Sequence, residues 1–276
     1  MQSRKKYSNY IALLVLLFIA AGYTACIKAD NYAAPNATFY GTIYDSITGQ
    51  PLQMDMNEAR IQVLELSWTK TKPTPNPDFY ANDSGYFYNS ALFNGYYNVN
   101  VVGPFAPINS TQWPSVIDST KSLTIQGKVQ QNYTVAPILE IQWVTPPVYN
   151  SVDSSITATV TVNRGTKNPL YNTGAIKNIN FYITGNAPYP GDASYDSRYT
   201  AIKNSFGAKD SVKVNGVMMA NVFAFGQTYI VKSINKLAFA AGRTWWVRVG
   251  ANTATSLPVV GTPYNYTSIQ TITMVK

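Results

Sequence analysis

The side chains that could do chemistry are few and widely spaced. Thirteen acidic residues and one cysteine, Cys26, are present, and histidine is absent from all 276 positions. Without an imidazole there is no His general base, no Ser-His-Asp or Cys-His nucleophile, and no His metal ligand. What remains is carboxylate chemistry, and a glycosidase needs two carboxyl groups flanking the scissile bond. The candidate pairs are Asp45 with Asp55, Asp78 with Asp83, and Asp192 with Asp196. Each falls where a turn is expected, and an Asp in a turn bonds nearby backbone amides more simply than it serves a substrate. Asp83-Ser84-Gly85 suggests calcium, yet the alternating acids of a calcium loop are missing. The expectation is a protein with no catalytic residue, no metal and no cofactor, and so not an enzyme.

Aromatic rings are the more informative group, at 13% of the chain with 21 Tyr and 5 Trp. Sugars present C–H faces that stack on flat rings, so a carbohydrate-binding module needs exposed aromatics with polar neighbours. The candidates are Trp68, Tyr80, Trp113, Tyr189, Tyr195 and Trp246. Trp68 and Tyr80 flank the Pro, Lys and Thr loop 69–77, either as a loop-end pair or as packing over the end of a sandwich. Trp113 lies in an irregular Pro and Ser stretch, where exposure is expected. Tyr189 and Tyr195 sit in the Gly and Pro loop 185–200, as adaptable contacts or as parts of a mobile loop. Trp245 and Trp246 are neighbours on an expected strand and must point to opposite faces. With Trp245 inside beside Val247 and Val249, Trp246 lies outward beside Arg248. There it is either a sugar platform or covered by a neighbouring strand or domain, and cover is favoured because large rings are mostly buried.

The elements that must hold these rings are strands. In Asn82 to Val102, Asp83-Ser84-Gly85 and Asn94-Gly95 are turn signals, and Tyr97, Val99 and Val101 share one face at period two. Such a face needs a second sheet to cover it. The extended segment from Phe39, closed by the turn Ser46 to Gln50, and Ala59 to Trp68 read as further strands of the same half. In the other half, Ser155 to Val162 alternates strictly, and Asn178 to Thr184, Trp245 to Ala251 and Tyr264 to Met274 follow. Ile138 to Val144 opens that half, with Pro146-Pro147 as a rigid corner beside the boundary. The expected organisation is all-β: two tandem sandwich domains, at residues 35–138 and 139–276.

Charge does not point to nucleic acid. The formal net charge is +8, but Arg4, Lys5 and Lys6 crowd the first residues and the other cations are scattered without a basic stripe. Charged residues make up only 12% of the chain, which suits an extracellular β-protein. Residues 1–25 have the layout of a secretory signal peptide: a basic start, the apolar run Ile11 to Ala21, and small residues before Cys26. The run is shorter than the roughly 20 residues that span a bilayer. A lone cysteine can form no intrachain disulfide; as a free thiol it would sit buried.

Cys26 after small residues resembles a bacterial lipobox. That resemblance implies a diacylglyceryl thioether on Cys26, an acylated new N-terminus, and residues 26–34 as a lipidated tether. The run G-x-I-x-D-x-x-T-G-x-P-L at Gly41 to Leu52, D-S-G-Y-F at Asp83 to Phe87 and L-F-x-G-x-Y-x-V at Leu92 to Val99 resembles the carboxypeptidase-regulatory-like, transthyretin-like β-sandwich, a domain without catalysis of its own. Trp245 to Ala251 is similar to the penultimate strand of fibronectin type III, immunoglobulin-like domains. Together these features resemble a two-domain Bacteroidetes outer-membrane lipoprotein family of unknown function, found beside SusC/SusD-type glycan importers. The segments associated with it are Asp30-Asn31-Tyr32 with Ala34-Pro35-Asn36, Gly103-Pro104-Phe105 and Tyr264-Asn265-Tyr266. The resemblance implies a lipid-anchored, surface-exposed outer-membrane protein whose partners are a polysaccharide or oligosaccharide and a SusC/SusD-type complex. The alternative is an assembly protein that docks onto an importer or SusD-like partner and binds no sugar.

Overall fold

Alternation in Ala37–Asp45 (β1) sends Phe39 and Ile43 inward and leaves Tyr40, Thr42 and Tyr44 on the outer face. The chain continues through β2 (Arg60–Glu65), the two-residue β3 (Thr74–Pro75) and β4 (Phe79–Tyr80), β5 (Tyr86–Leu92), β6 (Gly95–Val102), β7 (Phe105–Pro107), β8 (Lys121–Ile125), β9 (Lys128–Gln130) and β10 (Tyr133–Pro137). These strands form two sheets. One has the order β5-β1-β10-β7 with β9 also on β1; the other has the order β3-β2-β6-β8 with β4 also on β2. Phe39, Ile43, Phe87 and Val135 from the first sheet meet Ile61, Val63, Tyr97, Val99 and Ile125 from the second. Full burial of a ring such as Phe39 contributes about 1.5–3 kcal/mol, which is why the inward positions are fixed. The turn before β5 is as expected: Gly85 has φ +76, and a Cβ there would lie 2.7 Å from the Ile43 carbonyl oxygen.

The second set comprises β11 (Leu139–Asn150), β12 (Ser155–Arg164), β13 (Ile176–Thr184), β14 (Lys213–Val214), β15 (Val217–Met218), β16 (Gln227–Lys232), β17 (Thr244–Thr253), β18 (Asn265–Tyr266) and β19 (Gln270–Thr273). Its sheets run β11-β12-β16-β14-β15 and β13-β17-β18, with β19 also on β17. Between them lies a second, separate core, where Ile156, Val160 and Tyr229 oppose Ile179, Phe181, Trp245, Val247 and Val249. The fold is all-β, with no helix among the described residues.

This computed structural model describes residues 33–67, 74–75, 78–107, 120–169, 171, 174–201, 213–214, 217–218, 223–234, 238–254 and 263–274. The expected signal peptide, the expected lipidation site Cys26, Trp68 and Trp113 lie outside them. Two sequence expectations change. Pro146-Pro147 is not a corner but part of β11, which shifts register on β12 between Trp143, Thr145 and Val148. An edge strand tolerates prolines because one side of its backbone has no ladder to feed. The expected last strand from Tyr264 to Met274 is instead two short pieces, β18 and β19, which pair with different parts of β17.

Only Ile138 separates β10 from β11, and the junction is clamped. Ile138 N donates to the Pro104 carbonyl at 3.1 Å. The buried Asn265 side chain bridges the same place: Nδ2 donates to Pro104 O at 2.8 Å, and Oδ1 accepts from Leu139 N at 2.9 Å.

Candidate functional site

Period two on β17 puts Trp245, Val247 and Val249 in the core and Trp246, Arg248 and Gly250 on the opposite face. That opposite face does not meet solvent at Arg248, which is 0% exposed. The loop after β1 reaches over it. The Arg248 guanidinium donates from Nη1 to Met54 O at 2.9 Å, lies 3.5 Å from Asp55 Oδ1, and rests 3.9 Å above the Tyr266 ring. Asp55 Oδ2 accepts from Ala193 N at 2.9 Å and from the Tyr266 hydroxyl at 3.1 Å. Glu58 extends the contact, accepting from Asp55 N at 2.8 Å and from Tyr264 N at 2.9 Å. Burial pushes the Glu58 carboxyl up to about 7; the two backbone amides oppose that rise, and the neighbouring Asp55 charge adds to it. Gly103-Pro104-Phe105 and Tyr264-Asn265-Tyr266, two of the segments singled out in the sequence, therefore meet at this junction.

Beside the junction a cleft of about 370 Å³ opens between the sandwiches, within the range of small-molecule sites. Its walls come from the turn that follows β1, from the first residues of β11, and from Asn265, Tyr266 and Ser268. Two carboxyl groups meet in it. Asp45, 6% exposed, holds its own turn, with Oδ1 accepting from Ile47 N and Oδ2 from Thr48 Oγ1, both at 2.8 Å. Glu140, 9% exposed, comes from β11 and accepts from Gln142 Nε2 at 3.0 Å. Burial is the largest cause that lifts the Glu140 carboxyl to about 7; the Gln142 amide opposes it, while the neighbouring Asp45 raises it further. With its carboxyl lifted to about 7, Glu140 holds a proton below neutrality and can donate as well as accept a hydrogen bond. Half-buried Trp143 closes one side, its ring fixed by Nε1 donating to Ser268 O at 3.0 Å. Gln50, Gln53 and Gln142 add amides. An aromatic ring, amides and an acid pair in one cleft are the groups that grip a polyhydroxylated ligand.

Among the described residues, the aromatic candidates do not assemble into one surface. Tyr80, 46% exposed, stands on β4 opposite Arg60 in the first sandwich. Tyr189 and Tyr195, each 38% exposed, belong to the second. Tyr195 rests against Tyr182, with ring centroids 5.8 Å apart, beside the turn closed by Gly191 and Ser194. Trp246 is half-buried between Thr184 and Thr271 in register, and its expected outward neighbour Arg248 is under the first sandwich. The acidic pairs part company as well. Asp55 takes Arg248, Asp78 takes Arg60 at 3.3 Å, Asp192 accepts from the Tyr182 hydroxyl at 3.0 Å, and Asp196 pairs with Arg198. Sequence reasoning missed Glu140 and Trp143. The only signal was a charge set inside the apolar start of Leu139 to Val144.

Two stacked pairs of sheets with a polar cleft at their junction define the class, a tandem β-sandwich protein. More particularly, residues 37–136 match the family described as protein of unknown function (DUF3823), N-terminal domain. A DUF3823 family protein from Bacteroides uniformis is similar at 23% identity and a TM-score of 0.69, with 87% of this chain and 100% of that one covered. A second protein from Bacteroides uniformis, described as a "putative carbohydrate binding protein", is similar at 17% identity and a TM-score of 0.61 over the same shares. A DUF3823 family protein from Parabacteroides merdae is similar at 14% identity and a TM-score of 0.56, covering 88% of this chain and 100% of that one. At these identities the likeness establishes the fold, and it spans both sandwiches. No curated protein matches the chain.

Proposed function

We propose that the chain is a non-catalytic surface lipoprotein that binds carbohydrate in the inter-sandwich cleft, as an accessory component of a SusC/SusD-type polysaccharide uptake system in the outer membrane. The observation that carries the reading is the Asp45–Glu140 pair facing Trp143 in one cleft. A ring to stack on and two carboxyl groups beside it suit a sugar's C–H face and its hydroxyls. The description of one structural neighbour as a "putative carbohydrate binding protein" supports it. Cys26 supplies the anchor in this reading, and an unacylated Cys26 in the mass spectrum of membrane-derived protein would remove it.

The test is retardation of the full chain in gels containing single polysaccharides. Wild type is slowed by at least one glycan, and Trp143→Ala binds it about tenfold more weakly, the effect of about 1.4 kcal/mol. Equal retardation of both proteins removes the cleft from the reading. One observation favours the assembly alternative: Val144 and Val148, on the edge strand β11, are 54% and 60% exposed. In that case Val144→Lys with Val148→Lys releases a protein partner and leaves glycan retardation unchanged.

A further inference from the structure

We infer that the outer face of the β5-β1 sheet is a second glycan-binding surface, a flat tyrosine platform that takes an uncharged polysaccharide chain lying along the strands. Four outward positions on two adjacent strands are tyrosine: Tyr40 and Tyr44 on β1, and Tyr86 and Tyr88 on β5. Tyr88 is 54% and Tyr86 43% exposed, while the β1 pair is half-buried in the middle of the sheet. Register fixes the layout. Tyr40 stands opposite Tyr88, and Thr42 opposite Tyr86. Directly opposed side chains lie about 4.5–5.5 Å apart at Cβ, and those two apart on a strand about 7 Å, so the rings tile one continuous patch.

The chemistry of the patch selects the occupant. Among the described residues, none of the four hydroxyls is committed to an internal hydrogen bond and none of the four rings stacks on another ring, so both remain available to a ligand. The neighbours in register are uncharged, with Thr42, with Gln130 opposite Tyr40, and with Thr134 opposite Tyr44; a single cation, Lys128, opposite Thr38, stands at one margin. A nucleic acid needs several cations to meet its phosphates, and this face does not provide them. Protein interfaces also enrich tyrosine, but around a buried apolar core, and no aliphatic side chain stands in these outward positions; the exposed valines of β11 are elsewhere. Rings with polar tips and hydroxyl neighbours fit C–H faces and hydroxyls in alternation, which is what a neutral sugar chain offers. A flat patch grips each sugar weakly, and joining it to the cleft on the same molecule multiplies retention through effective concentration.

The experiment uses the full chain, with depletion onto insoluble cellulose, chitin and mannan and gel retardation in soluble neutral xylan and glucan. Alginate and polygalacturonate serve as anionic comparisons. The expected result is retention by at least one neutral polysaccharide, about tenfold weaker in Tyr86→Ala/Tyr88→Ala, with little effect of Trp143→Ala on the insoluble probes. Circular dichroism and the melting temperature of the double variant establish that it is folded, and Tyr86→Phe/Tyr88→Phe separates ring stacking from hydroxyl bonding. The platform is overturned by equal retention of wild type and the double alanine variant, by retention on anionic polymers alone, or by no retention of wild type on any neutral polymer. Loss of binding in Trp143→Ala together with unchanged binding in the double variant leaves the cleft standing and removes the platform.

Discussion

Two outer sheet faces of this molecule start from the same alternation and end in opposite conditions. On the β1–β5 face, Tyr86 and Tyr88 stay 43% and 54% exposed. On the β13–β17 face, Tyr182 and Arg248 occupy equivalent outward positions and are fully buried, because the loop at Met54 and Asp55 and the Gly191 turn close over them. Alternation tells which residues share a face. It does not tell what lies on top, and that is decided by segments far away in the chain. The covered face accordingly binds the protein to itself with a buried charge pair, whereas the open face keeps rings with unspent hydroxyls.

The contrast can be broken most severely at Arg248. Arg248→Ala leaves Asp55 buried without its cation, at an expected cost of about 3–5 kcal/mol in urea unfolding. Arg248→Met combined with Asp55→Asn costs less than the sum of the two single changes. A loss below about 1 kcal/mol for Arg248→Ala would mean that the covered face is held by something else. Gly250→Ala comes next. Its new Cβ would sit 2.5 Å from the Tyr266 ring and 2.9 Å from the Tyr182 ring, so crowding costs about 1–3 kcal/mol, measured as a lower unfolding midpoint with unchanged slope.

A pH series sharpens the comparison further. The folded Glu58 carboxyl holds its proton up to about pH 7, whereas the unfolded chain releases it near 4.5. The folded state therefore binds more protons between those values, and stability falls as pH rises through the window. Glu58→Gln flattens that fall by about 1–2 kcal/mol after solvent screening, and Glu140, also raised to about 7, leaves a residual slope of the same sign. An unchanged profile in the variant removes Glu58 from this role. The smallest effect belongs to the open face: Tyr88→Ala shifts stability by about 0.5 kcal/mol or less, because little covers the ring. A cost comparable with Gly250→Ala would show that the tyrosine face is covered in solution.

Much of the fold was legible from side-chain patterning. Asp83-Ser84-Gly85, the run Tyr97, Val99, Val101 and the alternating Ser155 to Val162 lie where the strands and turn are found. The prolines at 146 and 147 misled because β11 is an edge strand, a fact of sheet order that a local reading does not contain. The cleft was illegible for a related reason. Asp45 and Glu140 are brought together only because β10 hands on to β11 through a single residue, and Asp45 was naturally paired with the nearer Asp55. Trp246 and Arg248 were placed correctly on the face opposite Trp245, but the loop that covers Arg248 is about two hundred positions away. Tyr86 and Tyr88 were passed over because outwardness alone singles out no ring.

The one-residue junction at Ile138 also bears on how the chain can be divided. Cut there, the first sandwich loses Arg248 and Asn265 from Asp55 and Pro104, and the second is left with a bare guanidinium. Expressed singly, each half carries polar groups that only the other satisfies, so the two behave as one folding unit and not as separable modules.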